Sequence, residues 1–283
     1  MRPVTEIGMS FGSTAIFSKT LNTALATTFV FATSFGFNTA LAQTAEEKGL
    51  EIAIATDKRD SGWVHTTADM EMILKNRAGK ESRRKISFRQ LEVDGDGDKS
   101  LSLFTEPKDV AGTAMLTFAH GLEPDDQWLY LPAIKRVKRI SSKNKSGPFM
   151  GSEFAFEDLG SQEVDKFSYT LLREEACGEG YECYVIERIP QYENSGYKRQ
   201  ISWIDKEHYR SIKVEYYDRK DSLLKTLDFI GYNEYSGGYW RADRYEMQNH
   251  QTGKSTTLLW TNYDFERELS DKDFNHKALK RLL

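Results

Sequence analysis

The feature that most constrains the fold is an alternation of apolar and polar residues that continues, with short interruptions, over residues 64–266. In residues 64–74, Met70 and Met72 share one side, and Asp69 and Glu71 share the other. A period of two places successive side chains on opposite faces of an extended chain, so each such segment is a predicted β-strand. Similar segments recur between Gly, Asp and Asn turns. We predict about eleven strands in one mainly antiparallel sheet, strongly curled or closed as a barrel.

Helical spacing is confined to the start of this region and to its end. Thr44 and Glu47 fit a capping box, and the spacing of Leu50 and Ile54 predicts a short amphipathic helix to about residue 57. A second helix is predicted over residues 270–279, where a serine provides the N-cap.

Residues 147–160 show neither period and are rich in phenylalanine. This composition predicts a loop or short helix that covers an apolar surface. The preceding basic run, residues 135–140, is either a nucleic-acid patch or a strand whose basic residues face solvent, and its short length favours the strand.

The sequence Asp94-Gly-Asp-Gly-Asp98 resembles the start of a calcium-binding EF-hand loop. A loop that begins at Asp94 needs glycine at its sixth position and glutamate at its twelfth, where this chain has Lys99 and Thr105. The residues that follow also alternate with a period of two, whereas the motif requires a helix there. Asp-Gly pairs supply the positive φ of tight connections between strands, so we predict a hairpin loop.

Residues 1–42 differ in composition from the rest of the chain. They hold three charged residues, an apolar run over about residues 21–37, and the ending Ala40-Leu-Ala42. This arrangement is typical of a secretory signal, and we predict cleavage after Ala42. Residues 43–283 are then one exported domain. Their 37 Lys and Arg against 42 Asp and Glu give a formal charge of −5, which argues against nucleic acid as a partner.

The sequence contains two cysteines, Cys177 and Cys183. In an exported protein they are expected to form a disulfide at the base of a hairpin loop. Their five intervening residues do not fit a C-x-x-C redox site, and two cysteines are too few for structural zinc.

Outside the predicted signal, where Gly8-Met-Ser-Phe-Gly12 matches the G-x-S-x-G pattern of hydrolases but would be cleaved away, the sequence has no local catalytic motif. The five histidines lack H-E-x-x-H spacing, and no glycine-rich phosphate loop is present. Glu157 and Asp158 are adjacent, and we interpret them as solvated loop carboxylates. Only groups gathered from distant strands could form a catalytic site, so we expect a protein that is not an enzyme and uses no metal or cofactor.

Four blocks of the sequence resemble the outer membrane lipoprotein-sorting protein family. They are Pro107-Lys-Asp-Val-Ala-Gly-Thr-Ala114, Trp128-Leu-Tyr-Leu-Pro132, Lys135-Arg-Val-Lys-Arg-Ile140 and Phe149-Met-Gly-Ser-Glu-Phe-Ala-Phe-Glu-Asp-Leu159. The similarity extends over most of residues 43–283. It implies a fold like that of the periplasmic carriers LolA and LolB, an incomplete antiparallel β-barrel with a short helical lid.

The resemblance also implies a function. Such a protein is expected to act as a periplasmic chaperone that binds the acyl chain of a lipid or lipoprotein and transfers it between the envelope membranes. Relatives are linked with RND-type transporters, so the implied partners are an inner-membrane RND-type transporter and an outer-membrane acceptor. We expect a monomer.

The inner face of the curled sheet is the expected ligand-binding surface. Its predicted apolar lining is Met70, Met72, Leu74, Ile86, Phe88, Leu101, Leu103, Leu129 and Leu131. The predicted cover is Leu50 and Ile54 of the first helix together with Phe149, Met150, Phe154 and Phe156. Trp128 and Tyr130 lie on the opposite side of their strand, and we expect them to pack with the loop after Gly147.

The alternative is an envelope scaffold that binds a membrane-protein partner and carries no lipid. A scaffold needs a filled core, whereas a carrier needs an apolar cavity with few charges. The presence or absence of such a cavity in the structure therefore distinguishes the two interpretations.

Overall fold

A computed structural model describes residues 43–281 except Glu179, Ser236 and Ala278. The predicted secretory signal, residues 1–42, lies outside the described residues. None of the helices in the described part combines the length and apolar character needed to span a bilayer.

The first element is helix α1, Ala45–Arg59. The Thr44 side chain accepts a hydrogen bond from the Glu47 amide, and the Glu47 carboxylate accepts one from the Thr44 amide. The predicted helix and its capping box are therefore confirmed.

The rest of the described chain is dominated by one antiparallel sheet of thirteen strands. The strands are β1 His65–Lys75, β2 Glu81–Leu91, β3 Lys99–Glu106, β4 Ala114–Phe118, β5 Asp126–Leu131, β6 Arg136–Ile140, β7 Phe167–Ala176, β8 Glu182–Pro190, β9 Tyr197–Asp205, β10 Ser211–Asp218, β11 Leu223–Tyr235, β12 Tyr239–Asn249 and β13 Ser255–Asp264. The predicted antiparallel sheet is confirmed, with thirteen strands instead of about eleven.

The strand order shows how the sheet is assembled. It runs β6-β5-β4-β3-β2-β1-β13-β12-β11-β10-β9-β8-β7. Consecutive strands are neighbours throughout, except that β6 and β7 occupy the two edges. The sheet is therefore an open, incomplete barrel, and the chain must cross from one edge to the other between residues 141 and 166.

This crossover segment, residues 141–166, contains four short 3₁₀ turns and no strand. Its buried Phe149 and Phe154 belong to the same apolar cluster as Met72, Ile86 and Phe104 of the sheet. The face that the crossover segment covers is called the inner face below. Over β1–β5 this face is a filled core.

Helix α1 packs on the part of the sheet formed by β7–β9. Ile52 and Ala53 are buried there against Tyr169, Ile186 and Ile204. The approach is close, because a Cβ on Gly49 would lie 2.8 Å from the backbone nitrogen of Thr170.

The opposite, outer face of β3–β5 is also covered. Leu101 and Tyr130 are buried with Phe274 and Leu279 of the C-terminal segment. That segment forms 3₁₀ turns at Asp271–Asp273 and Leu279–Arg281, so the prediction of a helix over residues 270–279 is wrong. Its apolar residues reach the sheet from separate turns.

Two predicted hairpins appear in the sheet. The Asp-Gly loop connects β2 and β3, which pair antiparallel from Lys85 to Leu91, and this hairpin is confirmed. Between β7 and β8, Cys177 and Cys183 form a disulfide with their Cα atoms 5.7 Å apart.

Candidate functional site

A cavity of about 1260 Å³ lies on the inner face, between the C-terminal half of α1, the crossover segment and strands β8–β12. Binding pockets for small molecules usually measure about 300–1,000 Å³, so this one is large enough for an extended ligand. Its apolar wall includes Phe154, Ile186, Ile204, Val214, Leu227 and Phe229.

Strand alternation explains why these residues meet. On β8, Ile186 faces the cavity, whereas Val185 packs on the outer face with Trp203 of β9. Ser202 and Ile204, on either side of Trp203, face the cavity. Strands β8 and β9 therefore contribute every second residue to the wall.

The cavity entrance is rich in carboxylates. Asp57 and Asp60 lie at the end of α1, and Glu92 belongs to the hairpin loop opposite. Burial raises the pKa of Asp57, and the charge of Glu92 raises it further. Burial also raises the pKa of Asp60, although Arg241 forms an ion pair with it.

Asp98 is the most strongly perturbed acid at this entrance. Burial raises its pKa to about 7, and the nearby charge of Glu163 acts in the same direction. The Gln90 side-chain amide donates a hydrogen bond to the Asp98 carboxylate at 3.0 Å. Burial therefore favours the protonated, neutral form of Asp98 more than in an ordinary aspartate, which reduces the negative charge at the entrance.

Arginines also contribute to the cavity wall. Arg210 is buried and pairs with Asp205 at 2.8 Å, and its guanidinium lies 4.4 Å from the centre of the Trp240 ring. The cavity is thus apolar along much of its wall but carries charged pairs and a carboxylate-rich entrance. It is not the charge-poor cavity expected for a carrier.

The crossover segment is fixed to the sheet by two adjacent carboxylates. Glu157 accepts hydrogen bonds from the Gly196 amide at 2.8 Å and from the Ser195 hydroxyl at 2.8 Å. Asp158 accepts a hydrogen bond from Lys225 at 2.7 Å. The interpretation of Glu157 and Asp158 as solvated loop carboxylates is wrong, because both side chains are buried and serve as anchors.

Similarity to a solved structure shows the family to which this chain belongs. A crystal structure of an outer membrane lipoprotein-sorting protein domain from Vibrio parahaemolyticus shares 55% sequence identity with this chain, at a TM-score of 0.81. The match covers 83% of this chain and 100% of that domain. The chain belongs to the outer membrane lipoprotein-sorting protein family.

Further comparisons agree with this family membership. A DUF1329 family protein from Desulfovibrio piger is 33% identical, with a TM-score of 0.79, over 83% of this chain and 99% of that one. A LolA superfamily protein from Nitrosomonas europaea is 20% identical over 80% of this chain and 97% of that one, at a TM-score of 0.65, and this match shows the fold alone. A family model described as "uncharacterized protein" matches residues 96–281. No curated protein matches the sequence.

The predicted lining residues of this lipoprotein-sorting family member do not line the cavity. Seven of the nine lie on the inner face but in the part that the crossover segment fills or beside it: Met70, Met72, Leu74, Ile86, Phe88, Leu129 and Leu131. Leu101 and Leu103 lie on the outer face, under the C-terminal segment. The seven were misplaced because the crossover segment occupies the half of the barrel where we expected the ligand, and Leu101 and Leu103 because the C-terminal segment makes the outer side of β3 apolar as well.

Trp128 and Tyr130 also have a different partner from the one predicted. They pack on the outer face in the cluster of Phe274 and Leu279, not with the loop after Gly147. The Trp128 ring stacks on His276 with centroids 4.9 Å apart.

Of the residues predicted to cover the ligand, those of the crossover segment pack on the sheet, whereas those of α1 do not. Phe149, Met150, Phe154 and Phe156 pack onto the inner face, and Phe154 also lines the cavity. Leu50 and Ile54 are 43% and 50% exposed, so they cover nothing. The contact is made instead by Ile52 and Ala53, on the other side of α1.

The alternation of apolar and polar residues in β8–β12 predicts strands but not the cavity residues, because nothing in it distinguishes a strand that faces a cavity from one that faces a filled core. In the described part of the chain, no group of three or more His, Cys, Asp or Glu side chains is placed to hold a metal ion.

Proposed function

We propose that the protein is a non-enzymatic carrier that holds the acyl chain of a lipid or lipoprotein in the cavity between α1, the crossover segment and β8–β12. The observation that carries this proposal is the cavity itself, about 1260 Å³ in size, whose wall is aliphatic and aromatic over much of its extent and includes arginines such as the ion-paired Arg210. Its entrance is polar, as expected where a lipid headgroup meets water. The related lipoprotein-sorting domain supports the same function.

The energetics suit transfer between membranes. Each buried methylene contributes about 0.8 kcal/mol, so a cavity that shields most of an acyl chain competes with a bilayer for it. Release then requires only that the cavity open. Helix α1 covers part of the cavity, so movement of α1 away from β7–β9 is the proposed route of entry and exit.

In this proposal the signal is cleaved after Ala42, and residues 43–283 form one carrier domain that works as a periplasmic monomer. An RND-type inner-membrane transporter delivers the cargo, and an outer-membrane acceptor receives it. These partners are supported by the sequence resemblance.

The first test is native mass spectrometry of the mature protein purified from the periplasm, followed by lipid extraction. The expected result is one acylated molecule bound per chain. An empty protein that also fails to take up a fluorescent fatty acid would contradict the proposal and favour the scaffold.

A pair of variants locates the site. Phe229 lines the cavity, with its ring centroid 4.8 Å from that of Tyr245. Phe229→Glu places a charge there and should reduce fatty-acid uptake at least tenfold. Leu172→Glu makes the same kind of change at a β7 position that is 42% exposed, and uptake should be unaffected. Equal uptake by both variants would place the ligand elsewhere.

A further inference from the structure

Three buried polar atoms without a hydrogen-bond partner occur close together on β8 and β9. They are Arg188 Nε, Gln200 Oε1 and Ser202 Oγ. Arg188 lies directly across from Gln200 in the β8–β9 pairing, and Ser202 lies across from Ile186, so the three share the inner face. A buried polar group without a partner destabilises the folded protein. Three neighbouring groups of this kind indicate a partner from outside the chain.

Gln200 and Ser202 are each only 2% exposed, so bulk water is not an effective partner for them. Arg188 and Ser202 both line the cavity. The open hydrogen-bonding positions therefore face the space in which we place the acyl ligand.

Arg188 differs from the other arginines inside the cavity. Arg210 pairs with Asp205, and Arg241 pairs with Asp60. Arg188 has no carboxylate within 4.0 Å among the described residues, and its guanidinium rests 4.9 Å from the centre of the Phe167 ring. A guanidinium held on an aromatic face keeps its N–H groups free for a planar or tetrahedral oxyanion.

The surrounding tyrosines do not supply a negative charge. Burial raises the pKa of Tyr169, which lies across from Arg188 on β7, to about 12. Its hydroxyl donates a hydrogen bond to the Val164 carbonyl at 3.1 Å. Tyr169 therefore stays neutral and is already engaged.

Two of the three unpartnered groups can donate a hydrogen bond, and we propose that Arg188 and Ser202 bind an oxyanion at the end of the acyl chain, a carboxylate or a phosphate. This inference rests on the proposed function and names the chemistry of the cargo. The entrance carboxylates Asp57 and Glu163 face the same cavity and disfavour small free anions. An anion attached to a long chain enters because burial of the chain offsets that repulsion.

The test compares three ligands that share a sixteen-carbon chain: hexadecanoate, hexadecyl phosphate and the neutral hexadecanol. Their dissociation constants are measured by displacement of a neutral fluorescent alkyl probe. The mature protein should bind at least one of the two anions about tenfold more tightly than the alcohol. The anion with the larger preference identifies the source, a fatty acid or a phosphate headgroup.

Two variants assign the preference to the site. Arg188→Gln should remove most of the preference for the anion and leave hexadecanol binding unchanged. Ser202→Ala, which loses no hydrogen bond within the protein, should weaken anion binding about threefold. Arg77→Gln removes a charge from an exposed residue of the turn between β1 and β2, outside the cavity, and serves as the matched control, with less than a twofold change expected.

The results distinguish a failure of the oxyanion site from a failure of the proposed carrier function. If hexadecanol binds as tightly as both anions, or if Arg188→Gln keeps the preference, the inference is wrong and the carrier function stands. If none of the three ligands binds, both are wrong. Displacement of the probe by inorganic phosphate alone would assign the site to a free anion and overturn the acyl-linked assignment.

Discussion

The Nζ atom of Lys225 lies 2.7 Å from the Asp158 carboxylate, and both side chains are almost completely buried, at 3% and 6% exposure. Lys225 also donates a hydrogen bond to the Glu153 carbonyl at 2.9 Å, and Asp158 accepts one from the Tyr197 hydroxyl at 2.8 Å. This buried ion pair connects β11 with the crossover segment. It holds in place the segment that fills one half of the barrel and forms one wall of the cavity in the other half.

Removal of the lysine should therefore destabilise the whole domain. Lys225→Met leaves the Asp158 carboxylate buried without its charged partner, which typically costs about 3–5 kcal/mol. For a domain of this size, the melting temperature should fall by about 10 °C. Thermal denaturation followed by circular dichroism measures the change.

An exposed ion pair gives the control for this experiment. Lys85 and Glu106 lie 3.1 Å apart, with side chains 62% and 60% exposed. Lys85→Met should change the free energy of unfolding by less than about 1 kcal/mol. Equal effects of the two lysine substitutions would show that the Lys225–Asp158 pair does not hold the crossover segment.

The second prediction concerns pH and Asp98. Burial raises the pKa of Asp98 in the folded state to about 7, above its ordinary value of 3.8. The folded state therefore binds the proton more tightly than the unfolded state. The contribution of Asp98 to stability is fully present below about pH 4 and is lost as the pH rises to 7.

Asp98→Asn removes this loss of stability at higher pH, because the asparagine amide carries no charge. The variant should be more stable than the parent protein at pH 8 but not at pH 4, as measured by urea denaturation at both values. Asp94→Asn, an exposed position in the same loop, should shift stability by less than about 0.5 kcal/mol at either pH. A pH-independent effect of Asp98→Asn would mean that Asp98 is already ionised in the folded protein.

The third prediction separates helix propensity from packing at Gly49. Alanine favours a helix over glycine by about 1 kcal/mol, so Gly49→Ala would stabilise an isolated α1. In the protein, the added Cβ would lie 2.8–2.9 Å from backbone atoms of Thr170 and Leu171, which cannot move aside easily. We therefore expect net destabilisation by about 2 kcal/mol in urea denaturation, because α1 must shift away from β7.

Gly121 is the matched control, since a Cβ there would meet nothing within 4 Å. Gly121→Ala should change stability by less than about 0.5 kcal/mol. A gain in stability for Gly49→Ala would show that α1 is free to move away from the sheet.

Much of the fold could be predicted from alternation alone, because each strand has one face that differs in polarity from the other. The basic run at residues 135–140 was correctly identified as a strand, and it forms β6 at Arg136–Ile140. Alternation also shows that Leu101 and Leu103 share a face. It does not show which face, because the C-terminal segment makes the outer side of β3 apolar as well.

The cavity could not be predicted because it depends on contacts between distant segments. The edge positions of β6 and β7 require the chain to cross from one side of the sheet to the other, and no local pattern encodes that order. Ile52 and Ala53 of α1 were missed for a related reason. Leu50 and Ile54 are the larger apolar residues at helical spacing, but the side of α1 that meets β7 is the one with Gly49, where close approach is possible.

The last prediction uses Ala242, which lines the cavity and is 1% exposed. Ala242→Phe places a ring in the space assigned to the acyl chain, so the cavity should accept fewer methylenes, each worth about 0.8 kcal/mol. Binding of a sixteen-carbon fatty acid should weaken about tenfold, whereas binding of a ten-carbon acid should change less than threefold, as measured by displacement of a fluorescent probe. Ala78→Phe adds the same ring at an exposed turn between β1 and β2 and should alter neither affinity. Equal weakening for both chain lengths would indicate a distorted sheet, and unchanged binding of the longer acid would place the acyl chain outside this cavity.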